Sequence, residues 1–133
     1  MTSTKSLTIL VADDDEDDSD ILKQFLSESY PGIQLIVVEN GAHVMEYLEK
    51  DDPLPDAIFL DLNIPIKNGI ECLREIKSDD RFKSIMTVIV TTSSDPKQKN
   101  NCYAEGADLF ITKPSNYNHF KSAFMAALDK ITS

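Results

Sequence analysis

Positive charge is scarce in this chain of 133 residues: 13 Lys and Arg stand against 23 Asp and Glu, a formal net charge of −10. With no basic stripe, direct binding to nucleic acid or to an anionic membrane surface is not expected. Cysteine is nearly absent. The two present, Cys72 and Cys102, lack metal-ligand spacing and fall in predicted helices, so they read as half-buried thiols in a reducing cytoplasm. No apolar run exceeds a handful of residues, which leaves nothing to span a membrane. Met1 to Ser6 lack the charged-then-apolar layout of a signal peptide, and a cytoplasmic location is expected. Repeats, linkers and low-complexity segments are missing too. What remains, 41% hydrophobic and 27% charged, is ordinary for a globular protein. The length suits one domain over residues 1–133, able to bury about two thirds of its unfolded surface.

The apolar run Ala57-Ile58-Phe59-Leu60 is continuous rather than alternating, the pattern of a strand buried on both faces of a parallel sheet. It ends in Asp61. A carboxylate at such a point is costly unless it projects into the crevice at the carboxyl edge, where open α/β sheets bind ligands. Strand and helix patterns alternate along the whole chain. Leu7 to Ala12 reads as a strand and leads to a helix over about Asp17 to Tyr30, with Ile21, Leu22, Phe25 and Leu26 on one face. Gln34 to Val38 is a second strand, Ala42 to Lys50 a second helix, and Asp51 to Pro55 a loop stiffened by prolines. Gly69 to Lys77 follows as a helix, then the strand Thr87 to Thr91. A fourth helix is capped by Asp95, opened by Pro96 and ended at Gly106. Leu109 to Ile111 is a fifth strand, and Phe120, Ala123, Phe124, Ala127, Leu128 and Ile131 recur at helical spacing. Five βα units imply a doubly wound parallel sheet covered on both faces.

Carboxylates stand at two strand ends, Asp13 and Asp14 after the first and Asp61 after the third. In a doubly wound sheet these strands can be neighbours at the switch point. Each like-charge pair at about 4 Å costs on the order of 4 kcal/mol at an effective dielectric near 20, so a cation is needed. Oxygen-only ligands suit Mg²⁺. The wider run Asp13 to Asp18, with Asp20 beyond, reads mostly as a solvated helix start, with one or two members in the metal site. A calcium loop of the EF-hand type does not fit, because Asp18 stands where Gly is needed and Gln24 where Glu is needed. Thr91 closes the fourth strand with a hydroxyl donor and Lys113 the fifth with an ammonium. At one edge of one sheet, these groups form a set suited to phosphoryl transfer, in which the protein positions groups and neutralises charge.

Asp13-Asp14, the run from Asp61 through Asn63, Pro65 and Asn68 to Gly69, Thr91, and Lys113-Pro114 together resemble the receiver domains of two-component response regulators over nearly the whole chain. The resemblance implies a flavodoxin-like fold, five parallel strands in the order 2-1-3-4-5 with five helices. It implies that Asp61 accepts a phosphoryl group from a sensor histidine kinase or a histidine phosphotransfer protein, as an acyl phosphate. Asp14 and Asp61 would ligate Mg²⁺ directly, with Mn²⁺ able to substitute. Asp13 would act through water, and the backbone carbonyl of Asn63 would supply a further oxygen. Lys113 would pair with the phosphoryl oxygens, and its bond to Pro114 is cis in relatives. Thr91 would hydrogen-bond the phosphoryl group, and Phe110 matches the aromatic that swings inward with it. Asn63, Thr92 and Ser93 would tune the rate. Many relatives carry Tyr at Phe110 and a smaller residue at Thr92; the bulkier Thr92 is expected to slow attack by water and lengthen the phosphoryl lifetime.

The implied switch surface combines the fourth helix, fifth strand and fifth helix, with Lys97, Asn101, Phe110, Lys121 and Met125 as members. The same face would serve a monomer's partner site or a weak homodimer. With no output domain expected after the fifth helix, signalling would proceed through a downstream protein, which the residues do not name, or through a phosphorelay. The stretches Asp61 to Pro65 and Thr91 to Ser94 further resemble stand-alone regulators that pair with phytochrome-type kinases. Enzyme activity beyond Mg²⁺-dependent self-phosphorylation and slow self-dephosphorylation is not expected. A haloacid-dehalogenase-type phosphatase needs an acidic pair after the lysine, and only Asp129 lies beyond Lys113. A receiver that never takes phosphate is disfavoured by the complete set, and FMN binding by the acidic loop after the first strand.

Overall fold

The computed structural model describes residues 7–50, 54–113 and 117–132. Among these, strands and helices alternate as β1 (Leu7–Ala12), α1 (Glu16–Ser29), β2 (Ile33–Val38), α2 (Gly41–Glu49), β3 (Ala57–Asp61), α3 (Gly69–Ser78), β4 (Met86–Thr91), α4 (Pro96–Ala104), β5 (Leu109–Thr112) and α5 (Tyr117–Thr132). The strands are parallel and ordered β2-β1-β3-β4-β5. Every expected element is present, with ends shifted by a residue or two. Expectations falling on Met1 to Ser6, on Asp51 to Pro53 and on the Lys113–Pro114 bond lie outside the described residues.

Local chemistry sets the helix starts. Asp15 caps α1 by accepting from the N–H groups of Asp17 and Asp18 at 2.9 and 3.4 Å, so α1 begins at Glu16 rather than at Asp17. Asn40 caps α2, and Asn68 with Glu71 forms a reciprocal capping box on α3. Asp95 and Pro96 open α4 as expected, and Gly106 beyond its end takes φ +107°.

Alternating side chains divide the core. Leu10, Ile58, Leu60 and Ile89 point to one face of the sheet and pack with Val44, Leu48, Leu73, Ile76 and Phe82. Ile9, Val11, Phe59, Val88 and Val90 point to the other, against Leu22, Phe25 and Leu26 of α1 and Phe120, Phe124 and Leu128 of α5. Phe82 and Ile85, in the connection after α3, belong to the first of these two cores rather than to the surface. Cys72 and Cys102 are fully buried on the inward faces of α3 and α4, not half-buried as their spacing suggested. Since the chain leaves β1 toward β2 on one side and returns to β3 on the other, a crevice opens at the carboxyl ends of β1 and β3.

Candidate functional site

β1 delivers Asp13 to that crevice, only 5% exposed, with its N–H donating to the Val38 carbonyl at 3.0 Å. Asp13 Oδ1 accepts from the Asp15 N–H at 2.9 Å, which leaves Oδ2 turned inward. β3 delivers Asp61, whose Oδ1 accepts from the Asn63 N–H at 2.9 Å. β5 delivers Lys113, anchored by its N–H to the Thr91 carbonyl at 2.6 Å. The Lys113 ammonium then donates to Asp13 Oδ2 at 2.9 Å, to Asp61 Oδ2 at 2.9 Å and to Asp18 Oδ2 at 2.8 Å. Three bonds use all its protons.

One ammonium does not neutralise the acids. Asp13, Asp14 and Asp61 each bring a carboxylate oxygen within 4.8 Å of the others, the one group of potential metal ligands among the described residues. Burial pushes the Asp13 carboxyl above its ordinary range, although the Asp15 N–H and Lys113 oppose this. For Lys113, burial alone would weaken the ammonium, but the bonds to Asp18, Asp61 and Asp13 together outweigh it and hold the charge firmly. Beside the site lies an open cleft of about 310 Å³ bounded by Asp13, Asp14, Glu16, Asp20 and Glu39, with Lys23 the one basic residue on its wall, and with room for the waters a hard cation keeps. Asp13 and Asp61 also border a second, apolar pocket lined by Phe59, Val90, Ile111 and Phe124.

Asp13, Asp14, Asp61 and Lys113 thus come together as the strand-end reading required. Thr91 is fully buried, and its Oγ1 accepts from the Ser93 N–H at 3.2 Å. Thr92 is exposed and Ser93 half-buried. Phe110 is half-buried against the opposite core, on the α2–α3–α4 side of the sheet. Lys97, Asn101 and Met125 are exposed, but Lys121 departs from its expected place. Its ammonium lies 5.3 Å from the Phe25 ring centroid of α1, so it turns toward α1 rather than toward β5 and α4. Asp18 was missed as a site residue. It stands four residues before Leu22 on the inward stripe of α1, a spacing that places it one turn above the core at the crevice. The rest of the acidic run, Asp15 to Asp17 and Asp20, is exposed.

Three convergent carboxylates and a lysine with only 10% of its side chain exposed thus meet at the switch point of a doubly wound sheet. Residues 9–125 match the response regulator receiver domain, and the chain belongs to that family of two-component signalling proteins. It is 33% identical over 113 residues to response regulator Rcp1 of Synechocystis sp., covering 81% of this chain and 77% of that one. The structure of the phosphorylated cyanobacterial phytochrome response regulator RcpA superposes with a TM-score of 0.91 at 28% identity, over 97% of this chain and 96% of that chain. The Mn²⁺-bound form of Rcp1 superposes at 0.82 with 30% identity, over 87% of each. Among the described residues, no helix is long and apolar enough to cross a membrane.

Proposed function

We propose that this protein is a single receiver domain over residues 1–133 that takes a phosphoryl group on Asp61 from a sensor histidine kinase or a histidine phosphotransfer protein. The observation that carries the reading is the meeting of Asp61 Oδ2 with Lys113 Nζ at 2.9 Å, beside the oxygens of Asp13 and Asp14. A carboxylate oxygen of Asp61 attacks phosphorus, the P–O bond forms as the P–N bond of the donor imidazole breaks, and the freed imidazole carries away the electron pair and takes a proton from solvent. Lys113 exchanges its bond to Asp61 for one to the phosphoryl oxygens, and Thr91 turns its hydroxyl proton toward them.

The oxygen donors of Asp13, Asp14 and Asp61 fit Mg²⁺ or Mn²⁺; Asp14 and Asp61 would hold the ion directly, Asp13 would act through water, and the Asn63 carbonyl would supply a further oxygen. Such an ion supplies neutralisation of the charge on the phosphoryl oxygens. That RcpA is known phosphorylated and Rcp1 with Mn²⁺ supports both parts of the reading. Phosphorylation adds charge that only one arrangement of Thr91 and Lys113 satisfies, and moving a two-state surface from 1:99 to 99:1 takes about 5.5 kcal/mol of differential interaction. The α4–β5–α5 face, with Lys97, Asn101, Phe110 and Met125, then reports the change to a downstream protein, to a phosphorelay or to a second copy. Asn63, Thr92 and Ser93 set the lifetime.

The test is the intact mass of the protein after incubation with Mg²⁺ and acetyl phosphate. One phosphoryl adduct is expected on wild type and none on Asp61→Asn or with EDTA. An adduct that survives Asp61→Asn would place the acceptor elsewhere.

A further inference from the structure

The lysine of the site is held by a carboxylate that no part of the proposed metal set needs. Asp18 Oδ2 lies 2.8 Å from Lys113 Nζ, the shortest of the three ion pairs there, and its side chain is 23% exposed against 10% for Lys113. Asp13 and Asp61 have other claims on them. Both belong to the cluster of potential metal ligands, and Asp61 is the proposed acceptor. Asp18 lies outside that cluster, on the third residue of α1, where its backbone N–H is fixed by the Asp15 cap.

We propose that Asp18 is a positioning residue: it keeps the Lys113 ammonium aimed at Asp61 while the lysine's other two bonds are exchanged during phosphoryl transfer. The inference rests on the reading of Asp61 as phosphoacceptor. When a phosphoryl group forms on Asp61 and a cation engages Asp13, two of the three acceptors of Lys113 change. A long flexible ammonium with no constant partner would sample many rotamers, and the charge on the transition state would meet it only part of the time. Asp18 removes that freedom. Because it grips the lysine and not the phosphoryl group, it acts on both gain and loss of phosphate, two steps whose different transition states each carry negative charge on the phosphoryl oxygens that Lys113 faces.

The experiment compares wild type, Asp18→Asn and Asp18→Ala, each saturated with Mg²⁺. Phosphorylation is followed across acetyl phosphate concentrations, and loss of phosphate is followed after donor removal. Asp18→Ala is expected to slow both steps about tenfold at saturating donor, since small misplacement of a catalytic group costs one to two orders of magnitude. Asp18→Asn keeps an oxygen acceptor and is expected to recover to within about threefold of wild type. Rates in Asp18→Ala within twofold of wild type would overturn the proposal and leave Asp18 as a surface carboxylate. So would a change confined to the half-saturating donor concentration, because that is the signature of a charge repelling an anionic donor. If wild type itself takes no phosphoryl group, the phosphoacceptor reading falls and the proposal falls with it, a result distinct from both others.

Discussion

Gly41, the first residue of α2, lies so close to Lys67 in the loop after β3 that a Cβ on it would come within 1.8 Å of the Lys67 carbonyl oxygen. The contact is bonded on both sides. The Gly41 N–H donates to the Pro65 carbonyl at 3.3 Å, and the Gly41 carbonyl accepts from Cys72 Sγ at 3.5 Å. α2 and the loop that follows Asp61 therefore share one fixed joint. Backbone on both sides leaves no flexible side chain to yield, so Gly41→Ala is expected to destabilise the fold by about 3 kcal/mol, at the upper end for overpacking. Gly32→Ala is the control: nothing stands within 4 Å of its added Cβ, and the expected change is neutral to about 0.5 kcal/mol stabilising. Urea denaturation of the two variants checks both statements.

Ile66 sits at φ +70° with 80% of its surface exposed, at the centre of a γ-turn closed by the Lys67 N–H donating to the Pro65 carbonyl at 2.8 Å. A β-branched residue is strained there. The conformation is imposed from outside, by Ile64 buried on one side and by the bond from Gly41 to Pro65 on the other. Replacing Ile66 loses little burial and relieves the crowding of Cβ against backbone. Ile66→Asn is expected to stabilise by about 1 kcal/mol, read as a higher denaturant midpoint with an unchanged slope. A lower midpoint would mean that the Ile66 side chain packs in solution.

How far the chain could be read follows from where each constraint acts. Ala57 to Asp61 announced itself because a strand buried on both faces has no polar face, and its terminal carboxylate then had one place to go. Asp13, Asp14 and Lys113 were legible by the same edge argument. Asp18 was written in the α1 periodicity, four before Leu22, but the surrounding acidic run hid it: five neighbours of like charge read as one solvated cluster. The direction of Lys121 was not legible, since it depends on how α5 lies against Phe25 of α1. Nor was the strain at Ile66, which arises from contacts between segments distant in sequence. Local pattern reveals elements and their ends, while contacts between elements decide orientation and strain.

Lys113 faces Asp13, Asp18 and Asp61 with only 10% of its side chain exposed, and Asp14 completes a group of four acids. Removing the ammonium leaves those carboxylates unpaired. In EDTA, Lys113→Met is expected to cost about 2–3 kcal/mol, discounted from the value for a fully buried pair because Asp18 and Asp61 keep some solvent. Mg²⁺ should then stabilise the variant more than it stabilises wild type, because no positive charge competes with the ion, and the deficit should shrink. Thermal melts of both proteins with and without millimolar Mg²⁺ measure the difference. An equal gain in both would separate the lysine from the metal site.

Cys72 ties the pH dependence of stability to the joint at Gly41. Buried in α3 with Sγ donating to the Gly41 carbonyl, the thiol is pushed by burial from its ordinary 9.0 up to about 12, with the Lys67 charge opposing. The folded state therefore holds this proton after the unfolded chain has released it. Since stability falls with pH wherever the folded state binds more protons, the contribution of Cys72 is complete below about pH 9 and disappears between 9 and 12. Its slope approaches about 1.4 kcal/mol per pH unit in that window. The test is a difference, which isolates Cys72 from every other group: urea denaturation of wild type and Cys72→Ala at several pH values from 8 to about 11. Cys72→Ala is expected to be less stable at pH 8, where the Sγ contact and its packing are lost, and to converge on wild type as pH rises. Parallel curves would mean that the thiolate is tolerated in the folded state, which requires the joint between α2 and the loop after β3 to open to water.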